Sequence, residues 1–176
     1  PPLPEQRAIV KKLESLFSSL DAGVADLKKA QQQLKIYRQA VLKKAFEGEL
    51  TKEWREKNGL DFSLQNIKII DLGNIVTGNT PSKSDVNNYK SEEYNFYKPT
   101  DLNKGLNINF SIDKVSAFAY EKSRKVYKDS ILVTCIGATI GKTGLITKEG
   151  IFNQQINAII PNEKYISKFI YFQIIS

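Results

Sequence analysis

Residues 3–51 read LPEQRAIVKKLESLFSSLDAGVADLKKAQQQLKIYRQAVLKKAFEGELT, with one proline at the start of the run. Apolar side chains recur every seven residues, and others fall between them on the same side of a helix, a pattern typical of helices that pair with another helix. A helix of roughly 40 residues would be about 60 Å long, too long for a small domain to bury. The run therefore predicts a coiled-coil-type arm. The predicted helix-pairing residues are Ile9, Leu13, Leu16, Leu20, Leu27, Leu34, Tyr37 and Val41.

Local signals predict where this helix begins and ends. Pro4 suits a first helical turn and Glu5 suits the positive end of the helix dipole. Gly48, just beyond Phe46, is a suitable stop. The polar residues that follow resemble a short helix and a linker, so we predict one domain over residues 1–58 and a second over 59–176.

The second domain has a different sequence pattern, in which short runs of β-branched and aromatic residues alternate with loops that contain glycine and proline. Its tail, Tyr165–Ile175, has apolar residues at helical spacing. These patterns predict an α/β chain in which the long helix precedes a mixed α/β domain with a twisted sheet. The predicted strands are Ile67–Ile70, Asn95–Lys98, Ile131–Ile136, Thr143–Thr147 and Ile156–Pro161.

Composition excludes several kinds of active site. The chain has no histidine, which excludes histidine triads and most zinc sites, and its acidic residues show no metal-ligand spacing. We therefore predict no catalytic residue and no metal. The single cysteine, Cys135, lies in an apolar run and is predicted to be buried. The net charge of +7 favours polyanionic partners such as nucleic acid, although it also fits an ordinary soluble basic protein.

The two ends of the chain suggest a piece of a longer protein. There is no methionine, and Pro1-Pro2 is an unusual start for a translated chain. The last residues are apolar and carry no stop signal. We expect the second domain to be incomplete at its C-terminus.

The segment GATIGKT, residues 137–143, approximates a nucleotide-binding phosphate loop. That motif needs four residues between its first glycine and the Gly-Lys-Thr, whereas three are present, and a helix should follow where the pattern here is strand-like. We interpret the segment as a turn between two strands. It would expose Thr139, Lys142 and Thr143, which could bind a DNA phosphate or simply be solvated.

Three further loops carry candidate DNA-binding residues. Two are marked by proline and contain lysine or hydroxyl side chains, which in one interpretation face a DNA duplex and in the other are ordinary turn residues. The third is Asn-Gln-Gln, whose amides can hydrogen-bond adenine or brace a loop, with bracing slightly favoured. These candidates are Thr80, Ser82, Lys83, Lys98, Thr100, Lys104, Asn153, Gln154 and Gln155.

The motifs occur in a recognisable order. LPEQRAIV, a heptad helix and KKAFEGELTKEWR resemble the conserved spacer of specificity subunits of type I restriction-modification systems. The later segments resemble the target recognition domain of that family, in its usual order. They are Gly78–Ser82 (GNTPS), Pro99–Leu102 (PTDL), Ser130–Gly137 with Ile140–Lys142, Asn153–Pro161 and Tyr165–Phe172.

The resemblance implies a cytoplasmic, non-catalytic subunit that recognises one half of a bipartite double-stranded DNA target. Its helix would pair with the second conserved helix of the same subunit or of another copy. It implies modification (methyltransferase) subunits and a restriction/motor subunit as partners. S-adenosylmethionine, ATP and magnesium would be bound by those partners and not by this chain. The alternatives are a coiled-coil protein-interaction module without DNA binding, and an enzyme using GATIGKT as a nucleotide loop.

Overall fold

A computed structural model describes residues 1–63 and 66–176. The chain forms two compact units, Pro1–Asp61 and Phe62–Ser176. The first unit contains helix α1 (Leu3–Phe46), a 3-10 turn (Glu49–Thr51) and helix α2 (Lys52–Lys57). Pro4 lies in the first turn of α1, and Gly48 follows the C-cap with a φ of 83°. Because glycine adopts this left-handed conformation without strain, it ends the helix at the predicted place.

The apolar stripe of α1 is open to solvent. No residue of α1 is buried, and Leu20, Leu27 and Leu34 are 62%, 73% and 66% exposed. Only Val41, near the end of the stripe, is partly covered. A helix with a heptad repeat and an exposed seam gains stability when a second helix covers that seam.

Gly23→Ala tests the local environment of this helix. Apart from its chain neighbours and the adjacent backbone of the helix itself, a Cβ at Gly23 would have no atom within 4 Å, so only the backbone propensity should change. We expect the free energy of unfolding of α1 to rise by about 0.5–1 kcal/mol. Circular dichroism during thermal unfolding of the full chain measures this change. A destabilised helix in the isolated chain would contradict the prediction, whereas a loss seen only in a larger assembly would indicate a partner close to Gly23.

The second unit contains two four-stranded sheets within the described residues. The elements are β1 (Gly73–Thr77), β2 (Tyr94–Tyr97), β3 (Asp113–Val115), α3 (Ala117–Lys122), β4 (Lys125–Val126), β5 (Ile131–Thr134), β6 (Thr143–Leu145), β7 (Gly150–Phe152), β8 (Ile156–Pro161) and α4 (Ser167–Ile174). Sheet A has the order β1-β8-β5-β6 and is antiparallel. Sheet B has the order β3-β2-β7-β4 and is mixed, because β2 and β7 are parallel.

Neighbouring residues of the central strands enter different parts of the core, because side chains alternate across a sheet. Tyr97 and Phe152 of sheet B share one cluster with Leu132 of sheet A, so this cluster lies between the sheets. Phe96 and Ile151 pack instead with α3 on the other face of sheet B. A third cluster covers the other face of sheet A and includes Ile170 and Tyr171 of α4. The central strands of the two sheets are thus buried on both faces, which explains their continuous apolar runs.

Several local predictions were wrong. Ile67–Ile70 does not form a strand, because the chain takes a 3-10 turn at Ile69–Leu72 before β1 begins at Gly73. Cys135 is exposed, because β5 ends at Thr134 and the cysteine begins the following loop. By contrast, the strand at Ile156–Pro161 and a helix in the C-terminal tail are confirmed. In the parts of the chain that the structure describes, no helix has the length and apolar character needed to cross a bilayer.

Candidate nucleic-acid interface

Strand pairing brings four loops to one end of the two sheets. Parallel pairing of β2 with β7 places the loops that follow Tyr97 and Phe152 side by side. Antiparallel pairing of β8 with β1 and β5 places the start of β8 beside the ends of both strands, at Thr77 and Thr134. The four loops contain 11 of the 12 candidate DNA-binding residues; Thr143 is the first residue of β6.

Residues 152–155 link the other three loops through backbone hydrogen bonds. The Asn153 N–H donates to the carbonyl of Tyr97 (3.1 Å), and the carbonyl of Gln155 accepts from Cys135 N–H (2.8 Å). On the third side, Asn79 N–H donates to the carbonyl of Phe152 (2.9 Å). The Asn-Gln-Gln segment is therefore the structural centre of the candidate interface.

An open cleft of about 530 Å³ lies at this end of the domain. It contains four of the predicted DNA-binding residues, and their lysines give it two cationic groups. Tyr89 and Phe96 add aromatic surface, and Asp113 contributes one carboxylate. The lining residues are Thr80, Lys83, Tyr89, Phe96, Lys98, Asp113 and Asn153.

Tyr89 holds the GNTPS loop in place from inside the cleft. Its hydroxyl donates to the carbonyl of Pro81 over 2.8 Å. Burial raises the pKa of Tyr89, and Asp113 raises it further, which outweighs the lowering by nearby Lys98. The hydroxyl therefore keeps its proton at neutral pH and remains a donor to the loop backbone.

The loop between β5 and β6 is the predicted turn between strands, closed by a hydrogen bond from Gly141 N–H to the carbonyl of Thr134 (2.9 Å). The strand after it confirms that the segment lacks the helix of a phosphate loop. The expected exposure of Thr143 was wrong: it is buried at 7% exposure in β6, and its hydroxyl donates to the carbonyl of Gly141. Thr139 and Lys142 are only partly exposed.

Lys104 is separated from the other candidates. It ends the 3-10 helix Asp101–Lys104 and does not line the cleft. Its ammonium lies 3.1 Å from the centroid of the Phe110 ring, a cation–π contact. The carbonyl of the next residue, Gly105, accepts a hydrogen bond from the N–H of Leu145. Leu145 is the last residue of β6 and lies at the strand end away from the candidate interface. Lys104 thus lies outside the cleft, and its role in DNA binding stays a prediction.

Asn153 and Gln154 have different surroundings. Asn153 is 9% exposed, its amide oxygen accepts from Gln155 N–H (3.1 Å), and its amide nitrogen donates to the side chain of Gln155 (3.0 Å). Gln154 is exposed and accepts from the hydroxyl of Thr80 over 2.5 Å. The contacts of Asn153 fit a bracing role, whereas those of Gln154 leave its side chain at the surface.

Asn153→Ala should therefore change the stability of the domain, whereas Gln154→Ala should change its DNA base preference. Loss of the two loop hydrogen bonds in Asn153→Ala should lower the free energy of unfolding by about 1–2 kcal/mol. Gln154→Ala should stay within about 0.5 kcal/mol of wild type, and should change base preference. Urea unfolding and competition binding on a panel of DNA sequences measure the two effects. An altered base preference with unchanged stability in Asn153→Ala would reverse these assignments.

Sequence reasoning did not identify Asp101, Asn79 and Asp113 as parts of this interface. Asp101 is 1% exposed, and its carboxylate accepts from the N–H groups of Lys98 (2.8 Å) and Ile112 (2.9 Å). Asn79 accepts from Arg124 N–H over 2.8 Å. Asp101 lies in the PTDL motif and Asn79 in the GNTPS motif, so membership of these motifs could have identified both residues. Asp113 lies in no such motif, and no sequence pattern pointed to it.

The described residues bring no three His, Cys, Asp or Glu side chains together in an arrangement that could hold a metal ion. What the interface does offer is cationic groups, amides and hydroxyls on loops that rigid strands position. Such a set can hydrogen-bond phosphates and base edges.

Residues 63–176 match the family model described as "Type I restriction modification DNA specificity domain". The chain is 34% identical over 163 residues to the EcoBI specificity subunit of Escherichia coli, a match that covers 85% of this chain and 34% of the relative. It is 36% identical over 103 residues to the HindI specificity subunit of Haemophilus influenzae, covering 57% and 22%. The chain thus spans about a third or less of the length of these relatives.

Solved structures share the fold. One comes from work on assembly and conformational transition of the type I R-M system, with a TM-score of 0.65 at 17% identity. Another is the HsdS subunit from Thermoanaerobacter tengcongensis, with a TM-score of 0.59 at 17% identity. Each match covers 99% of this chain and 41% of the solved chain. At this identity the likeness concerns the fold alone, a long helix followed by a mixed α/β domain.

Proposed function

Because the chain belongs to the family of type I restriction-modification DNA specificity domains, we propose that residues 62–176 recognise one half of a bipartite DNA target. The observation that carries this proposal is the meeting of four loops, predicted separately from sequence, at one end of the two sheets. The family match gives the alternative of a protein-interaction module without DNA binding no support.

DNA binding at this end would divide into two kinds of contact. Lys83 and Lys142 carry positive charge on separate loops and would contact phosphates, which fixes the register of the domain on the duplex. Gln154 and Thr80, which are hydrogen-bonded to each other, would offer polar groups to base edges. Ser82 and Thr100, both exposed, would add hydroxyl contacts to the backbone.

Helix α1 would act as a spacer. Its exposed apolar stripe is suited to the second conserved helix of the same subunit or of another copy, and a rigid helix would fix the distance between two recognition domains. The same arm would dock modification subunits, with the restriction/motor subunit joining them. Chemistry would belong to these partners, with S-adenosylmethionine for methylation and ATP with magnesium for cleavage.

The test is to co-express the intact subunit containing this chain with its modification subunits and to map methylated sites by sequencing. We expect methylation at a single bipartite motif. Exchanging residues 62–176 for the corresponding domain of another specificity subunit should change one half of the motif and leave the other half unchanged. An unchanged motif after the exchange would refute the proposal.

A further inference from the structure

Asp113 is a carboxylate among the cationic groups of the cleft. It lies 2.7 Å from the ammonium of Lys98, and the two side chains keep 50% and 34% of their exposure. The pair is at the same end of sheet B as the loops, since Asp113 opens β3 opposite Phe96 of β2. A carboxylate is repelled by DNA phosphates, so this position is poorly suited to contacts with the backbone alone.

The surrounding structure holds both members of the pair in place. Asp101 is buried and ties the backbone of Lys98 to that of Ile112, the neighbour of Asp113. Ser111 accepts from Phe96 N–H (2.9 Å), and its hydroxyl donates to the carbonyl of Asp113 (2.5 Å). The ammonium of Lys98 also lies 5.1 Å from the centroid of the Phe96 ring. A donor and an acceptor are therefore presented side by side from fixed backbone.

The chemistry of this pair matches one type of base pair. In the major groove guanine presents O6 and N7 as acceptors, and the paired cytosine presents its N4 amino group as a donor. Lysine commonly donates to guanine O6 or N7, and aspartate accepts from cytosine N4. Resting on the proposed function, we propose that Lys98 and Asp113 together read one G·C pair in the major groove. Lys98 is then a base contact more than a phosphate contact.

Asp113→Asn tests this in the intact subunit assembled with its modification subunits. Binding competition and methylation mapping should show one G·C position relaxed by about 10- to 100-fold, with the rest of the motif retained. Affinity for unrelated DNA should rise, because a repelling charge is removed. Lys98→Ala should relax the same position, and urea unfolding of both variants checks that the domain remains folded.

The matched control is Glu121→Gln. Glu121 pairs with Lys125 at the same 2.7 Å distance, and Lys125 also contacts an aromatic ring, that of Tyr120 at 4.8 Å. This pair does not line the cleft, so its loss should leave the motif unchanged.

Three outcomes would overturn the inference. They are an affinity increase shared equally by all sequences, relaxation at an A·T position, and relaxation of different positions by the two variants. These results would leave the proposed function intact, because the wild-type subunit would still methylate a bipartite motif. Failure of the wild type to show any sequence preference would instead refute the proposed function.

Discussion

Changing Lys83, Lys98, Lys104 and Lys142 together to alanine is expected to weaken DNA binding by about 10²- to 10³-fold at about 0.1 M salt. Each lysine that neutralises a phosphate releases counterions, and each such contact contributes about 0.9 to the slope of log affinity against log salt. Because Lys83 and Lys142 are expected to make full contacts and Lys98 and Lys104 weaker ones, the slope should fall by about 2 to 3 units. Fluorescence anisotropy across a salt series, with the intact subunit in its complex, measures this slope.

The four single variants should differ because their surroundings differ. Lys83 and Lys142 should each account for close to one unit of slope. Lys98 should account for less, since Asp113 already neutralises its charge at 2.7 Å. Lys104 should also account for less, since it stacks on Phe110 outside the cleft.

The control removes the same charge elsewhere on the domain. Lys128, Lys148 and Lys164 lie beyond the opposite ends of the strands, and Lys168 lies in α4. All four are exposed. Their joint change to alanine lowers the net charge equally, so it should reproduce only the long-range part of the effect. Equal slopes for the two quadruple variants would contradict the assignment of phosphate contacts to the loop end.

Gly78→Ala is expected to destabilise the domain by about 3 kcal/mol, because overpacking against atoms that cannot move is costly. A Cβ at Gly78 would overlap the carbonyl oxygen of Asn153 and lie 2.5 Å from that of Phe152. Both are backbone atoms of the segment that links the four loops, and Gly78 N–H itself donates to the carbonyl of Ile156 (3.0 Å). The GNTPS loop and the Asn-Gln-Gln segment would have to separate.

Urea unfolding followed by circular dichroism measures this loss, and DNA affinity measured on the folded fraction should fall with it. Gly23→Ala serves as the control, since the same methyl group enters open space there. Unfolding of Gly78→Ala at the wild-type urea concentration would mean that the two segments are less closely packed than the structure describes.

Sequence patterns were most reliable where the signal is local and repeated. The heptad repeat predicted the long helix. Pro4 and Gly48 predicted its two ends, because capping residues act within one helical turn. The strand at Ile156–Pro161 was found from its β-branched run. Short strands without such a run were missed, including Lys125–Val126 and Gly150–Phe152. A two- or three-residue strand is defined by its partners more than by its own residues.

Side-chain environment was the main source of error. Cys135 and Thr143 lie at the two ends of one loop, and their burial is the reverse of what their residue types suggest. Strand β5 ends one residue before Cys135, whereas Thr143 already pairs with Val133. A shift of one or two residues in a strand end decides burial, and sequence patterns fix such ends poorly.

The helical arm, its apolar seam and the order of the motifs follow from the amino-acid sequence alone, because they depend on periodicity and on short-range backbone preferences. Which motifs meet depends instead on how the strands pair. The parallel pairing of β2 with β7 and the register of β8 against β1 and β5 bring four loops together from residues 78 to 155. Asp113 joined them through its register opposite Phe96. Such pairings depend on contacts between residues far apart in the chain, which no local pattern records.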